Sequence, residues 1–228
     1  MWLEESIIEQ VPMSENVKSA HYLPHRPVIK NSATTKIRPV FDASSREKNQ
    51  PSLNHCLEKG LNLIELIPSI LLRFREQKIG IISDIRKAFL QIGVHRDDRD
   101  FLRFLWYDDS GKIIMYRHRR VVFGVCSSPF LLGATIDFHL SESLRKCDTP
   151  GILYGRQTIE KLMKSLYVDN CFTSVNNEAE LEQFVRESNF LMQDAKFDLR
   201  GWGLLTHLHP LLFYLYLVYI GIRKKMSL

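Results

Sequence analysis

Two short stretches of the chain place carboxylates where metal-assisted chemistry could be done. In residues 78–91, KIGIISDIRKAFLQ, the β-branched run Ile79, Ile81 and Ile82 leads into Ser83 and Asp84. In residues 164–175, KSLYVDNCFTSV, two strand-forming runs flank the pair Asp169 and Asn170. An Asp that ends a buried strand has two readings: a helix N-cap, or a metal ligand held on a rigid strand end. An Asp-Asn pair between β-formers reads as a hairpin tip, because both side chains tolerate the left-handed backbone of a tight turn. If hairpin and strand are neighbours, the two Asp side chains meet. They then offer the hard oxygen ligands that Mg²⁺ prefers, and two such ions can clamp the attacking and leaving oxygens of a phosphoryl transfer.

The elements that must position these groups follow from pattern. Leu63, Leu66, Ile67, Ile70, Leu71 and Phe74 recur at helical spacing around Pro68 before the first strand. Residues 101–107 and 113–122 should pair as strands around an exposed turn at Asp108-Asp109-Ser110-Gly111. Ser128 followed by Pro129 starts a helix, with Ser as N-cap and Pro at the first helical position, running to about Arg145. Gly124 permits close backbone approach just before it. Residues 178–195 form an amphipathic helix with Leu181, Phe184, Val185, Ser188, Leu191, Met192 and Ala195 on one face, and residues 197–200 form a strand. Residues 28–30 and 36–41 read as a hairpin carrying Lys30, Lys36 and Arg38. The whole is an α+β pattern of the βαββαβ type, an antiparallel sheet with helices over one face. Residues 1–21 are polar and weakly periodic, a helical N-terminal remnant without an assigned role.

With 228 residues, 45% of them hydrophobic, the chain can bury a real core. The 31 basic against 26 acidic residues give a net charge of +5, compatible with a polyanionic partner. Cys56, Cys126, Cys147 and Cys171 show neither C-x-x-C nor zinc spacing, which reads as reduced thiols and an intracellular setting, cytoplasm or nucleus.

In order along the chain, Asp84-Ile85-x-x-Ala88-Phe89-x-Gln91-Ile92, Phe123-Gly124-x-x-x-Ser128-Pro129-Phe130 and Tyr167-Val168-Asp169-Asn170 resemble the palm of a retroelement reverse transcriptase. More narrowly, Tyr22-Leu23-Pro24-His25, Val40-Phe41-Asp42-Ala43-Ser44 and Ser128-Pro129-Phe130-Leu131-Leu132-Gly133 resemble the BEL/Pao class of LTR retrotransposons, with the likeness running over residues 22–202. The resemblance implies fingers and palm without a thumb. It implies an RNA-directed DNA polymerase, a nucleotidyltransferase that extends a primer 3′ hydroxyl on an RNA or DNA template from deoxynucleoside triphosphates.

Asp84 and Asp169 would hold two Mg²⁺ ions, or Mn²⁺ in their place, with Asn170 at a metal position where the family usually carries a second Asp. Lys30, Lys36 and Arg38 would lie over the triphosphate, and Phe89 and Gly124 would contact the nucleotide, Phe89 as sugar selector or as a core residue. Tyr167, Val168, Ser128 and Pro129 would line the primer and template. Asn170 and the missing thumb leave a second reading open, a catalytically weak or inactive nucleic-acid-binding remnant. Residues 203–228 depart from the family. The stretch 203–222 carries no Asp, Glu, Lys or Arg and is long enough for a membrane helix, against which stand His207, His209 and Pro210; the other reading is an accidental ending.

Overall fold

The computed structural model describes residues 2–12, 15, 20–29 and 37–206. They form two compact units, one drawn from residues 2–59 and 89–128 and the other from residues 60–88 and 129–206.

The first unit contains β1 (Ile8–Gln10), β2 (His25–Ile29), β3 (Ile37–Phe41), β5 (Arg103–Tyr107), β6 (Ile113–His118) and a short α1 (Leu53–Cys56). Strands β2 and β3 pair antiparallel, with Pro27 opposite Pro39, as the expected hairpin. Lys30, Lys36 and the loop between them lie outside the described residues. Strands β5 and β6 also pair antiparallel, Arg103 opposite Arg117 through Tyr107 opposite Ile113, so each strand is shorter than its sequence run. The turn between them is held by Asp108, whose Oδ1 accepts from the backbone N–H of Ser110 at 2.9 Å and of Lys112 at 2.8 Å. Before β5, residues Arg96–Leu102 wind as a 3₁₀ helix. The helix expected over residues 1–21 is not formed at its described start. Instead β1 adds to β6, and Ile7 and Val11 are buried on either side of it. The reason is alternation: Ile7, Glu9 and Val11 share one side of an extended segment. The core gathers Leu23, Phe41, Ala43, Leu53, Leu102 and Phe104.

In the second unit, β4 (Ile79–Ile85), β7 (Leu166–Tyr167), β8 (Asn170–Val175) and β9 (Leu199–Thr206) form an antiparallel sheet in the order β7-β8-β4-β9. Helices α2 (Ile67–Phe74), α3 (Ser128–Lys146), α4 (Arg156–Met163) and α5 (Glu178–Asp194) alternate with them along the chain. The connection order β4-α3-α4-β7-β8-α5-β9 realises the expected mixed architecture with an antiparallel sheet. Helix α2 places Ile70 and Phe74 against Phe172, with Ile82, Tyr167 and Leu205 around them. All six residues of β8 are buried, and since neighbouring strand residues point to opposite faces, both faces of β8 are covered, more than the single helical face expected. Helix α5 is capped by Asn177, which accepts from the N–H of Glu180, and buries Phe184, Leu191 and Met192.

Strand β9 runs on to Thr206 by pairing Gly203, Leu204 and Leu205 with Ile82, Ile81 and Gly80. Residues 203–206 are therefore strand and not the start of a membrane helix. The remainder of that stretch lies outside the described residues, among which no helix is long and apolar enough to cross a membrane.

Candidate active site

Asp84 does not end its strand or cap a helix; it is the sixth of seven residues of β4. The next turn is a short 3₁₀ segment at Ala88–Gln91, so no helix begins where an N-cap would be needed. The Asp84 Cα is paired with Asn170 on β8 and with Arg200 on β9. The hairpin tip is shifted by one residue from the expected pair. Tyr167 pairs with Asn170, leaving Val168 and Asp169 as the two-residue loop, while Asn170 is the first residue of β8. Val168 sits at φ 56°, an uncommon conformation for a β-branched residue and one that stores of order 1–3 kcal/mol. The backbone locks this tip to the central strand, since the Ile85 N–H donates to the Asp169 carbonyl at 2.7 Å. The Asn170 side chain, nearly buried, donates from Nδ2 to Asp169 Oδ1 at 2.8 Å.

The other side of Asp84 is shaped by a bulge. Ile82 pairs with Gly203 and Asp84 with Arg200, so Gly201 and Trp202 together oppose Ser83. Gly201 lies at φ +64°, and a Cβ there would come within 2.8 Å of Asp84 Oδ1. Bulges of this type re-aim a side chain at the edge of regular pairing, and glycine is what lets the carboxylate approach the β9 backbone. Arg200 Nε then lies 3.7 Å from Asp84 Oδ2, with both side chains about half exposed. Partial burial raises the Asp84 carboxyl above its usual range, Arg200 opposes that, and the negative charges of Asp169 and Asp198 push the same way as burial. Asp84 and Asp169 are thus close enough to repel.

Among the described residues no three His, Cys, Asp or Glu side chains gather into a metal cluster. The site instead offers a carboxylate pair, beside the Asn170 amide, accessible to water. That donor set fits Mg²⁺, which keeps several waters and takes one or two protein carboxylates together with substrate phosphates.

The remaining predicted residues fall in two groups. Tyr167, Val168 and Pro129 belong to the second unit with the carboxylates; Arg38, Phe89, Gly124 and Ser128 belong to the first. In that first unit Phe89 is buried and meets Phe123 edge-on with ring centres 4.6 Å apart. Gly124 lies at φ +92°, and a Cβ there would come within 2.5 Å of the Phe41 carbonyl oxygen. Arg38 is opposite Val28 in the β2–β3 pair. Ser128 is the first residue of α3, and its hydroxyl donates to the Val122 carbonyl at 2.7 Å, which replaces the N-cap role expected for it. A residue not singled out from the sequence, Asn54, ties this loop down: Nδ2 donates to the Gly124 carbonyl at 2.9 Å and to Ser44 Oγ at 2.8 Å, while Oδ1 accepts from Cys126 N–H at 2.8 Å.

The fold has counterparts among solved structures. A foamy viral protease-reverse transcriptase in complex with double-stranded DNA superposes with a TM-score of 0.61 at 20% identity, covering 90% of this chain and 30% of that one. The chain has a reverse-transcriptase fold. A foamy viral protease-reverse transcriptase in complex with an RNA/DNA hybrid matches with a TM-score of 0.58 at 21% identity, and the native prototype foamy virus protease-reverse transcriptase with 0.59 at 18%. The chain spans 22–30% of the length of these three proteins. No protein-family model matches it, and no curated protein does.

Proposed function

We propose that this chain is the fingers and palm portion, residues 22–202, of an RNA-directed DNA polymerase from a BEL/Pao-class retrotransposon, adding deoxynucleotides to a primer 3′ hydroxyl. The observation that carries the reading is the junction of β4 and β8, where Asp84 is paired with Asn170 and Asp169 stands at the adjoining tip. The foamy viral structures were captured with double-stranded DNA and with an RNA/DNA hybrid, which supports nucleic acid as the partner here. Asp84 and Asp169 would hold Mg²⁺, and when bound the metal supplies activation of the hydroxyl and neutralisation of the departing pyrophosphate.

The chain's own residues do the positioning. The Ile85 N–H to Asp169 carbonyl bond fixes the hairpin tip against β4, and Asn170 Nδ2 holds one Asp169 oxygen in place. Arg38, with Lys30 and Lys36, would contact the triphosphate, Phe89 and Gly124 the nucleotide, and Tyr167, Val168, Ser128 and Pro129 the primer and template.

Asn170 also favours a second reading, a weakened or inactive nucleic-acid-binding remnant, because it contributes an amide donor where a carboxylate would add negative charge. Primer extension on an RNA template separates the two. We expect Mg²⁺-dependent incorporation by the native chain, raised by Asn170→Asp. Binding of primer-template without extension by either protein would leave the remnant reading.

A further inference from the structure

We propose that Arg200 is the resident counter-cation of the Asp84 carboxylate, and that it competes with divalent cations for that group and so sets the concentration at which the site loads. This rests on the reading of Asp84 as a metal ligand. The two residues are direct cross-strand partners on β4 and β9, with Nε 3.7 Å from Oδ2. The pairing is built by the Gly201 bulge, which inserts one residue into β9 and returns the chain to register at Arg200. The neighbouring cation Arg86 is turned to another acid, its Nη1 lying 3.8 Å from Asp198 and its N–H bonded to the Asp198 carbonyl at 2.9 Å.

Exposure decides the character of the Arg200 pair. With side chains 54% and 45% exposed, it is a separable surface pair and not a buried lock. A dication beside Asp84, Asp169 and Asp198 interacts with twice the charge and displaces it; the arginine, having no lone pair to donate, can only repel the arriving ion. Arg200 thereby keeps the carboxylates from a bare mutual repulsion when no metal is present.

The test is equilibrium Mn²⁺ binding to the full chain, followed by electron paramagnetic resonance without nucleotide or nucleic acid. Arg200→Gln should lower the Mn²⁺ Kd about two- to fivefold, the size expected from an exposed pair, and should lower the melting temperature in chelator. Arg200→Lys, which keeps the charge, should stay near the native Kd. An unchanged or raised Kd in Arg200→Gln overturns the proposal, as does a lysine variant that behaves like the glutamine one. Asp84→Asn separates the two levels of the claim. If it leaves Mn²⁺ binding untouched, the metal-ligand reading itself fails; if it weakens binding while Arg200→Gln does not strengthen it, only the counter-cation role fails.

Discussion

Replacing Arg117 with Met is expected to remove about 3–5 kcal/mol of stability, a large share of the 5–15 kcal/mol that holds a typical domain folded. Arg117 is almost fully buried and serves three acids at once: Nε donates to Glu9 at 2.7 Å, and Nη1 to Glu15 at 2.9 Å and to Asp100 at 2.8 Å. Burial alone would push Glu9 and Asp100 toward the neutral form. The hydrogen bonds and charge of Arg117, joined by Arg99 at Glu9 and Arg103 at Asp100, overcome it and hold both carboxyls below their ordinary range. Taking the guanidinium away leaves those anions in a poorly solvated place with too little positive charge. Urea unfolding is the measurement. A stability within about 0.5 kcal/mol of native, the usual range for a surface change, would show that this network holds nothing together.

Mild acid should destabilise the protein before the depressed carboxyls Glu9, Asp100 and Glu187 titrate. His118 is fully buried, boxed by Phe41 edge-on at 4.6 Å, Phe104 at 4.9 Å and Trp2 at 6.0 Å between ring centres, and among the described residues neither ring nitrogen has a hydrogen-bond partner. Burial, helped by nearby His25, pushes its pKa down to about 3. A histidine whose folded pKa lies below its unfolded value of about 6.5 contributes stability that is complete above pH 6.5 and lost as pH falls toward 3. The slope is about 1.4 kcal/mol per pH unit, hence about 2 kcal/mol between pH 6.5 and 5. His25 is depressed by burial and adds in the same direction. The depressed carboxyls Glu9, Asp100 and Glu187 release stability only below their unfolded range, and the raised Asp84 carboxyl acts in the opposite direction, so the loss between pH 6.5 and 5 belongs to the histidines. Unfolding free energies of His118→Phe across that window should be much flatter than native. Equal slopes would mean that His118 does not titrate with unfolding.

Period and turn chemistry explain which parts of this molecule could be read from its residues. The run Ile79, Ile81, Ile82 formed the central strand, the Asp108 turn closed its hairpin, and the 178–195 face formed α5, each because the local signal and the tertiary demand agree. The chemistry sits where they diverge. The hairpin was expected to turn at Asp169 and Asn170, the residues that tolerate left-handed backbone, yet it turns at Val168 and Asp169; the strand register with β4, which buries Asn170, outweighs the intrinsic preference. Arg200 and Asn54 carry no local pattern, since their partners are far away in sequence. Gly201 did carry a signal, a glycine inside a strand-like phrase, which is the mark of a bulge or a close approach. The N-terminal segment hid its role because the strand it contributes, Ile8–Gln10, is short.

The central claim, that Asp84 and Asp169 form a metal-dependent polymerising site, is tested most directly by single-turnover primer extension on an RNA template with native protein and Asp84→Asn, across a Mg²⁺ titration. The Asp84 side chain is about half exposed, so the variant should fold like the native chain. Extension by the native protein should rise with Mg²⁺, and a folded Asp84→Asn variant should lose on the order of 100-fold or more of it. Extension by folded Asp84→Asn at the native rate would contradict it.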